Sequence, residues 1–378
     1  MSWEYKTLDQ LGEVSRGRSK HRPRNDPSLF GGDYPFIQTA DVKAANFYIT
    51  EYDTTYNEKG LAQSKLWHPG TLCITIAANI ADTGILAMDA CFPDSVMGFL
   101  PYEGVADVRF VKYCFDILQQ NCKKISQGAA QDNLSWEKLS TILFPAPPIE
   151  VQKRIADMLS AYDDLIENNQ KQIKLLEEAS QRLYKEWFVD LRFPGHETTP
   201  ITDGVPEGWQ QLLLELVAPI LTGKKDANFS TEDGQYPFFT CAQAPLQAPS
   251  YSFDCDAVIL AGNGDFNVKL YRGQFEAYQR TYVLSPEDKK LLFLLYHAVN
   301  NSMAKLAQGA SGSTIKFLTK GMIASIPVYV PDELTLNKFN DLSEAIQKQI
   351  EVLKSVIAHA TEARDRLLPK LMNGEIEV

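Results

Sequence analysis

The sequence predicts an α+β protein with two pseudo-symmetric globules that are joined by two long, antiparallel, coiled-coil-like helices. Three observations predict this fold. The chain repeats itself once, each half ends in an apolar segment stopped by proline, and each of those segments leads into a long stretch with heptad spacing. The order along the chain is therefore globule, helix, globule, helix.

The composition is that of an ordinary globular protein. The chain has 378 residues, of which 44% are hydrophobic and 22% are charged. The six cysteines form no C-x-x-C pair, which favours reduced thiols in the cytoplasm over disulfides or a zinc site. No apolar run is long enough to span a membrane, and the start, MSWEYKTLDQLGE, has neither the basic nor the apolar run of a signal peptide. The net charge of −11, taken alone, argues against nucleic acid as a partner.

The repeat is visible in several paired segments. Gly17 is followed by basic residues and later by Tyr-Pro-Phe, and so is Gly223, 206 positions further on. Trp3 near the start matches Trp209 before the second copy. The segment RLYKEWF at 182–188 aligns with RLLPKLM at 366–372, 184 positions further on. Short segments such as GTLCITIA and AVILAG predict several strands in each globule.

Proline residues form the joint between each globule and the helix that follows it. The prolines at 145–148 lack amide donors, so we expect them to end a strand at 142–144. Glu150 then suits the positive N-terminus of a helix. Residues 331–333, Pro-Asp-Glu, repeat this arrangement, although Leu336 replaces Gln152 and predicts a weaker second joint. Pro369 lies inside the second helical pattern, where we expect it to end or kink the helix.

Heptad spacing predicts that the two long helices pack against each other. In the first helix the seam positions are Leu159, Tyr162, Ile166, Asn169, Ile173, Leu176, Ser180, Leu183 and Trp187. In the second helix they are Ile346, Ile350, Leu353, Ile357, Ala360, Arg364, Leu367 and Leu371. Each seam is too narrow to be buried by one globule alone, so an antiparallel helix pair is the simplest solution. The first helix would be about 55–60 Å long at about 1.5 Å per residue.

The residues at these joints and helices resemble those of specificity subunits of type I restriction–modification systems. The resemblance is strongest in FPAPPIEVQKRIADMLSAYDDLIENN, LEEASQRLYKEWFVDLR and EARDRLLPKLMNGEI, and it extends over essentially the whole chain. It implies two target-recognition domains, each reading one half of a bipartite, asymmetric sequence in double-stranded DNA. The predicted division is recognition domains at 1–149 and 191–333, with spacer helices at 150–190 and 334–378.

The resemblance also implies partner subunits that perform the chemistry. The helices are expected to bind two methyltransferase subunits, which carry S-adenosylmethionine, and a translocating nuclease subunit, which uses ATP and Mg²⁺, joins through them. The residues predicted for the partner-subunit or helix–helix interface are Leu159, Ile166, Ile173, Leu176, Leu183, Trp187, Ile350, Leu353, Ile357, Leu367 and Leu371. The chain itself has no Asn-Pro-Pro-Tyr methyltransferase motif and no G-x-x-x-x-G-K-[ST] loop, so we expect it to be non-catalytic, with no cofactor or metal of its own.

Basic and amide side chains near the repeated glycines are the candidate DNA contacts. Arginine and lysine suit phosphates, arginine can bind guanine bidentately, and asparagine or glutamine can do so with adenine. The candidates in the first half are Arg16, Arg18, Lys20, Arg22, Arg24, Gln127, Gln131 and Asn133. Those in the second half are Lys224, Lys225, Asn263, Asn267, Lys269, Arg272, Gln279, Arg280, Ser311 and Ser313. For each set the alternative to DNA contact is a solvated loop or the solvent-exposed face of a hairpin.

Two other functions remain open at this stage. One is a scaffold that does not bind DNA, with two ligand-binding globules on a coiled-coil strut, which the acidic composition favours. The other is a specificity subunit of a methylation-only system. Many acidic residues lie in the predicted helices, so a local basic surface on the first globule is compatible with the acidic total.

Overall fold

The computed structural model describes residues 3–76, 82–125, 136–310 and 316–378. The chain forms two compact units. Unit 1 comprises Met1–Lys171 and Leu353–Val378, and unit 2 comprises Gln172–Val352. Each unit therefore contains one globule and one part of each long helix.

Unit 1 is built on a five-stranded sheet with helices on it. Its strands are β1 Glu4–Lys6, β2 Gly12–Arg16, β3 Phe30–Pro35, β4 Tyr48–Ile49, β5 Thr55–Tyr56, β6 Leu66–Trp67, β7 Leu72–Thr75, β8 Thr83–Leu86, β9 Ala90–Cys91, β10 Val96–Pro101 and β11 Phe144–Ala146. Its helices are α1 Leu8–Leu11, α2 Thr39–Ala44, α3 Glu58–Ala62, α4 Val108–Ile125 and α5 Trp136–Leu139, with a 3₁₀ turn at Pro27–Leu29. The first long helix, α6, is Ile149–Tyr184 and continues as a π-helical turn, Lys185–Val189.

Unit 2 is built on a six-stranded sheet. Its strands are β12 Ile201–Thr202, β13 Val205–Pro206, β14 Gln210–Leu213, β15 Ile220–Thr222, β16 Tyr236–Phe239, β17 Leu246–Ala248, β18 Phe253–Ala261, β19 Val268–Ala277, β20 Thr281–Leu284 and β21 Pro327–Val330. Its helices are α7 Leu214–Val217, α8 Leu292–Gly309 and α9 Lys320–Ala324, with 3₁₀ turns at Ala227–Phe229 and Lys289–Leu291. The second long helix, α10, is Glu333–Met372.

The first five strands in the order of each sheet have the same topology, in agreement with the sequence repeat, and unit 2 adds β17 as a sixth strand. Their strand orders are β2-β10-β7-β8-β4 and β15-β20-β18-β19-β16-β17. In both, the first four strands pair antiparallel and the fifth is parallel to its neighbour. In both, a short strand that follows the repeated tryptophan pairs with the strand that precedes the long helix: β1 with β11, and β14 with β21. The predicted α+β class and duplication are confirmed.

The expected strand end at the first joint is wrong. The strand is Phe144–Ala146 and includes Pro145, which lies opposite Tyr5 in a two-stranded sheet. Proline is tolerated there because the missing N–H is not needed by a second neighbouring strand. The expected end of the helix at Pro369 is also wrong, because α10 continues to Met372. Leu371 and Met372 are buried in the core of unit 1, and we attribute the continuation to this burial, which offsets the missing backbone bond.

The two joints are built differently. The Gln152 side chain donates to the carbonyls of Val105 and Pro147 at 3.0 and 2.8 Å and accepts from the N–H of Asp107 at 3.1 Å. In the second joint Leu336 is buried in the core of unit 2. Asp332 caps α10 there by accepting from the Thr335 N–H at 3.0 Å.

The predicted heptad seams are turned away from solvent. Within the seams, the buried apolar or aromatic members are Leu159, Ile166, Trp187, Ile350, Ala360 and Leu371. The others among the predicted interface residues, Ile173, Leu176, Leu183, Leu353, Ile357 and Leu367, are partly buried. In unit 1, Ile155 and Leu159 of α6 share a core with Leu368 and Leu371 of α10, and Asp163 contacts Arg364. Increasing residue numbers in one helix match decreasing numbers in the other, so the pairing is antiparallel, as predicted.

Candidate nucleic-acid interface

The repeated glycines hold each basic segment against its sheet. In unit 1, the Gly17 N–H donates to Val96 O at 2.9 Å, and a Cβ at Gly17 would lie 2.3 Å from Pro93 O. In unit 2, the Gly223 N–H donates to Thr281 O at 3.1 Å, and a Cβ would lie 2.0 Å from Ala277 O. A side chain fits at neither position, so the glycines are required by close backbone approach.

The basic loop of unit 1, residues 16–26, is anchored rather than loose. The His21 N–H donates to Gln63 Oε1 at 2.9 Å, and Ser64 Oγ donates to Arg18 O at 2.7 Å. The His21 ring lies 2.9 Å from Asp26. The Ser28 N–H, which donates to the Asp26 carboxylate, lowers the pKa of Asp26 to about 2. The loop therefore presents its side chains from a fixed backbone.

The five predicted cations of this loop are not equivalent. All five side chains are exposed: Arg16, Arg18, Lys20, Arg22 and Arg24. Arg24 forms a 2.8 Å ion pair with Asp94, and Arg22 donates to the backbone carbonyls of Ser19 and His21. Within residues 3–76 and the other described ranges, no carboxylate pairs with Arg16, Arg18 or Lys20. These three cations are therefore the ones available to an anionic partner.

The equivalent surface of unit 2 combines three predicted segments. Lys225 forms an isolated parallel bridge with Tyr278, and the Gln279 N–H donates to Lys225 O at 2.9 Å. The Gly262 N–H donates to Arg280 O at 2.9 Å, which brings the turn containing Asn263 to the same place. The structure thus brings together Lys224, Lys225, Asn263, Gln279 and Arg280. The Lys225 ammonium lies 4.2 Å from the Phe229 ring centroid.

Three other predicted residues have internal partners. Asn267 Nδ2 donates to Cys241 O at 3.0 Å, and Lys269 Nζ donates to Ala242 O at 2.9 Å. Burial lowers the pKa of Lys269. Arg272 forms a bidentate pair with Glu344 of α10, at 3.1 and 2.8 Å. Those hydrogen bonds raise the pKa of Arg272 and tie β19 to the helix.

The remaining predicted contacts, Gln127, Gln131, Asn133, Ser311 and Ser313, lie outside the described residues. The sequence interpretation missed the loop at 240–245, whose residues 242–245 are all exposed and whose Cys241 contacts the backbone of Arg280. Its position directly after the repeated Tyr-Pro-Phe was the available signal.

Within the described ranges, no three His, Cys, Asp or Glu residues are placed to hold a metal ion, and no helix is both long and apolar enough to cross a membrane.

Comparison with known proteins shows the family. A family model described as the type I restriction modification DNA specificity domain matches residues 1–178 and again residues 206–363. The chain therefore belongs to the type I restriction–modification specificity subunits, and the resemblance predicted from the sequence is confirmed.

Individual relatives cover different parts of the chain. It is 38% identical over 176 residues to the EcoDI specificity subunit of Escherichia coli, a match that covers 46% of this chain and 39% of that protein. It is 26% identical over 416 aligned residues to the MjaIX specificity subunit of Methanocaldococcus jannaschii, covering 100% of this chain and 94% of the relative. The crystal structure of the S subunit from M. genitalium superposes with a TM-score of 0.58 at 15% identity, covering 98% of this chain and 96% of that one. At that identity the match shows the fold alone.

Proposed function

We propose that this chain is the sequence-reading subunit of a type I restriction–modification complex. Each unit reads one half of a split, asymmetric target in double-stranded DNA. The observation that carries the proposal is the duplicated glycine-anchored basic segment, at Gly17 and at Gly223, on equivalent ends of two sheets with the same topology. Two non-identical copies of one element suit a target with two different halves.

The charge distribution supports this proposal despite the net charge of −11. DNA binding needs a local cationic surface, and the electrostatic part of the affinity comes from the cations that meet phosphates. Arg16, Arg18 and Lys20 provide such a surface in unit 1, and Lys224 and Arg280 are exposed in unit 2. Because these surfaces are small, the chain alone binds DNA weakly, and partner subunits supply much of the phosphate contact.

The chemistry is assigned to the partners. Two methyltransferase subunits, which bind S-adenosylmethionine, associate with the long helices, and restriction subunits that use ATP and Mg²⁺ join the same assembly. The outward faces of α6 and α10 are available for this, since the seam residues already pack inward. Exposed apolar side chains at Met158 and Leu342, 184 positions apart, lie at equivalent places on the two helices.

The test is methylation of host DNA. The chain is co-expressed with the neighbouring methyltransferase reading frame, and methylated bases are mapped by single-molecule sequencing. We expect a split motif that is methylated on both strands and lost when the chain is deleted. Replacing residues 1–149 with those of another family member should change one half of the motif and leave the other half intact.

The control is the methyltransferase expressed without the chain, with its protein level verified. If every methylated motif persists when the chain is deleted, the DNA-reading role is wrong and the scaffold function becomes the better explanation. A swap that changes both halves at once would refute the assignment of one half to each unit.

A further inference from the structure

The loop at 240–245 lies at the basic end of unit 2. It connects β16 to β17, and residues 242–245 are all exposed, as is the large apolar side chain of Leu246 at the start of β17. Cys241 Sγ lies 3.6 Å from Arg280 O, so the loop adjoins the cations described above. Among the predicted DNA contacts, none lies in this loop.

Two of the predicted DNA contacts donate hydrogen bonds to the backbone of this loop. Asn267 donates to Cys241 O at 3.0 Å and to Asp265 O at 2.8 Å. Lys269 donates to Ala242 O at 2.9 Å and also bonds to the Asn267 side-chain oxygen. Both amide hydrogens of Asn267 and two of the three ammonium hydrogens of Lys269 are used in this way. These residues therefore support the loop, and the residue that follows the supported backbone is Gln243. A rigid support of this kind is what a reading side chain needs.

One hydrogen bond orients the amide of the Gln243 side chain. Its Nε2 donates to Asp265 Oδ2 at 2.5 Å. Since a carboxylate can only accept, the amide nitrogen must face Asp265. One N–H and the Oε1 acceptor of Gln243 are then left over. A donor and an acceptor side by side match N7 and N6 of adenine in the major groove.

The residue at the same sequence offset in unit 1 has different surroundings. Gln243 is the fifth residue after Phe238 of the repeated Tyr-Pro-Phe, and the fifth after Phe36 is Asp41. Asp41 lies in the first turn of α2, where its carboxylate accepts from the Gln38 N–H at 2.6 Å. In unit 1 the Tyr34-Pro35 pair lies in β3, which pairs with β5 outside the main sheet, whereas in unit 2 Tyr236–Phe239 is β16 of the six-stranded sheet. The two units therefore differ in structure at this segment, as expected where two different half-sites are read.

We propose that Gln243 determines specificity by reading an adenine in the half-site of unit 2, with Asp265 holding its amide and Asn267 and Lys269 holding its backbone. This inference rests on the proposed function. It deepens that function by naming one reading residue and the base that the residue recognises.

The test uses the whole complex and host genomic DNA. Gln243→Ala and Gln243→Met are each co-expressed with the methyltransferase, and methylated motifs are mapped. Met keeps the length of the side chain without its hydrogen bonds. The control is Gln211→Ala, an exposed glutamine of β14 whose backbone pairs with Tyr329. We expect both Gln243 variants to lose about 10- to 100-fold of the discrimination at one adenine position, in the half that the 1–149 swap leaves unchanged.

The possible outcomes separate this inference from the proposed function. If the wild-type motif depends on the chain but both Gln243 variants methylate the identical motif, Gln243 does not read a base, and the proposed function stands. A uniform fall in methylation, with the motif unchanged, would also overturn the inference, because it indicates structural support alone. If the wild-type chain directs no split motif, the proposed function itself fails.

Discussion

Asp163 connects three helices of unit 1, and its removal is expected to loosen them. Its carboxylate accepts a 2.5 Å hydrogen bond from the Tyr113 hydroxyl of α4 and lies 2.5 Å from Arg364 of α10. The Asp163 side chain is only 6% exposed. Substitution by alanine removes the acceptor that both partners share, so we expect unit 1 to be destabilised and α4 to detach more easily from the long helices.

The magnitude follows from the burial of each partner. Removing one member of a buried ion pair costs about 3–5 kcal/mol. Arg364 is 26% exposed and keeps a 2.8 Å pair with Asp365, so we expect about 3 kcal/mol for Asp163→Ala. Tyr113→Phe should cost about 1.5 kcal/mol, because Asp163 keeps its charged partner. Replacing Tyr113, Asp163 and Arg364 together with Phe, Leu and Met should be nearly neutral, since no buried charge is left alone.

The assay is urea denaturation combined with amide hydrogen exchange of residues 108–125. We expect exchange in α4 to speed up in Asp163→Ala before the rest of unit 1 is affected. Asp164→Ala is the matched control, because Asp164 is the neighbouring carboxylate and is exposed. If Asp163→Ala costs no more than Asp164→Ala, or if the triple variant is as unstable as Asp163→Ala, the buried triad does not hold the helices as described.

Three further predictions concern pH, packing and charge. Burial lowers the pKa of His297 from its usual value of 6.5 to about 4. Below pH 6.5 the unfolded chain therefore binds more protons than the folded chain, so unit 2 loses stability as the pH falls from 6.5 towards about 4. In urea titrations, His297→Phe should remove about 2 kcal/mol of the stability difference between about pH 7.5 and about pH 5; an unchanged difference would contradict this assignment. Gly223→Ala should cost about 1–3 kcal/mol, because its Cβ would lie 2.0 Å from Ala277 O, and a melting curve like that of wild type would argue against the close approach. Arg18→Gln should reduce the slope of log affinity against log salt concentration by about 0.9. Arg24→Gln should reduce it by less, because Arg24 is already paired with Asp94. Equal slopes for the two variants would contradict the assignment of Arg18, rather than Arg24, as a phosphate contact.

The fold was largely predictable because its signals are local and repeated. Heptad spacing places Leu159, Ile166 and Trp187 on one face of a helix whatever surrounds it, and the structure buries all three. Proline lacks a backbone N–H donor in any surroundings, so the prolines in the sequence indicated the positions of both joints. Whether a proline ends a helix or strand, however, depends on residues that are distant in the sequence. Pro369 stays within a helix because Leu371 and Met372 are buried in a core assembled from distant segments.

The sequence by itself determined the duplication, the two long helices, the family and the basic character of the loop that contains Arg18. Tertiary structure decided what each polar side chain in the second half does. Arg272 and Lys269 lie on the same strand and looked alike as candidates, yet one pairs with Glu344 of a helix and the other donates to a carbonyl of the loop at 240–245. Such assignments depend on partners 27 and 72 positions away in the chain, so no local pattern encodes them. Periodicity fixes which face of an element is buried, but only the assembled fold fixes which donors remain free to meet a ligand.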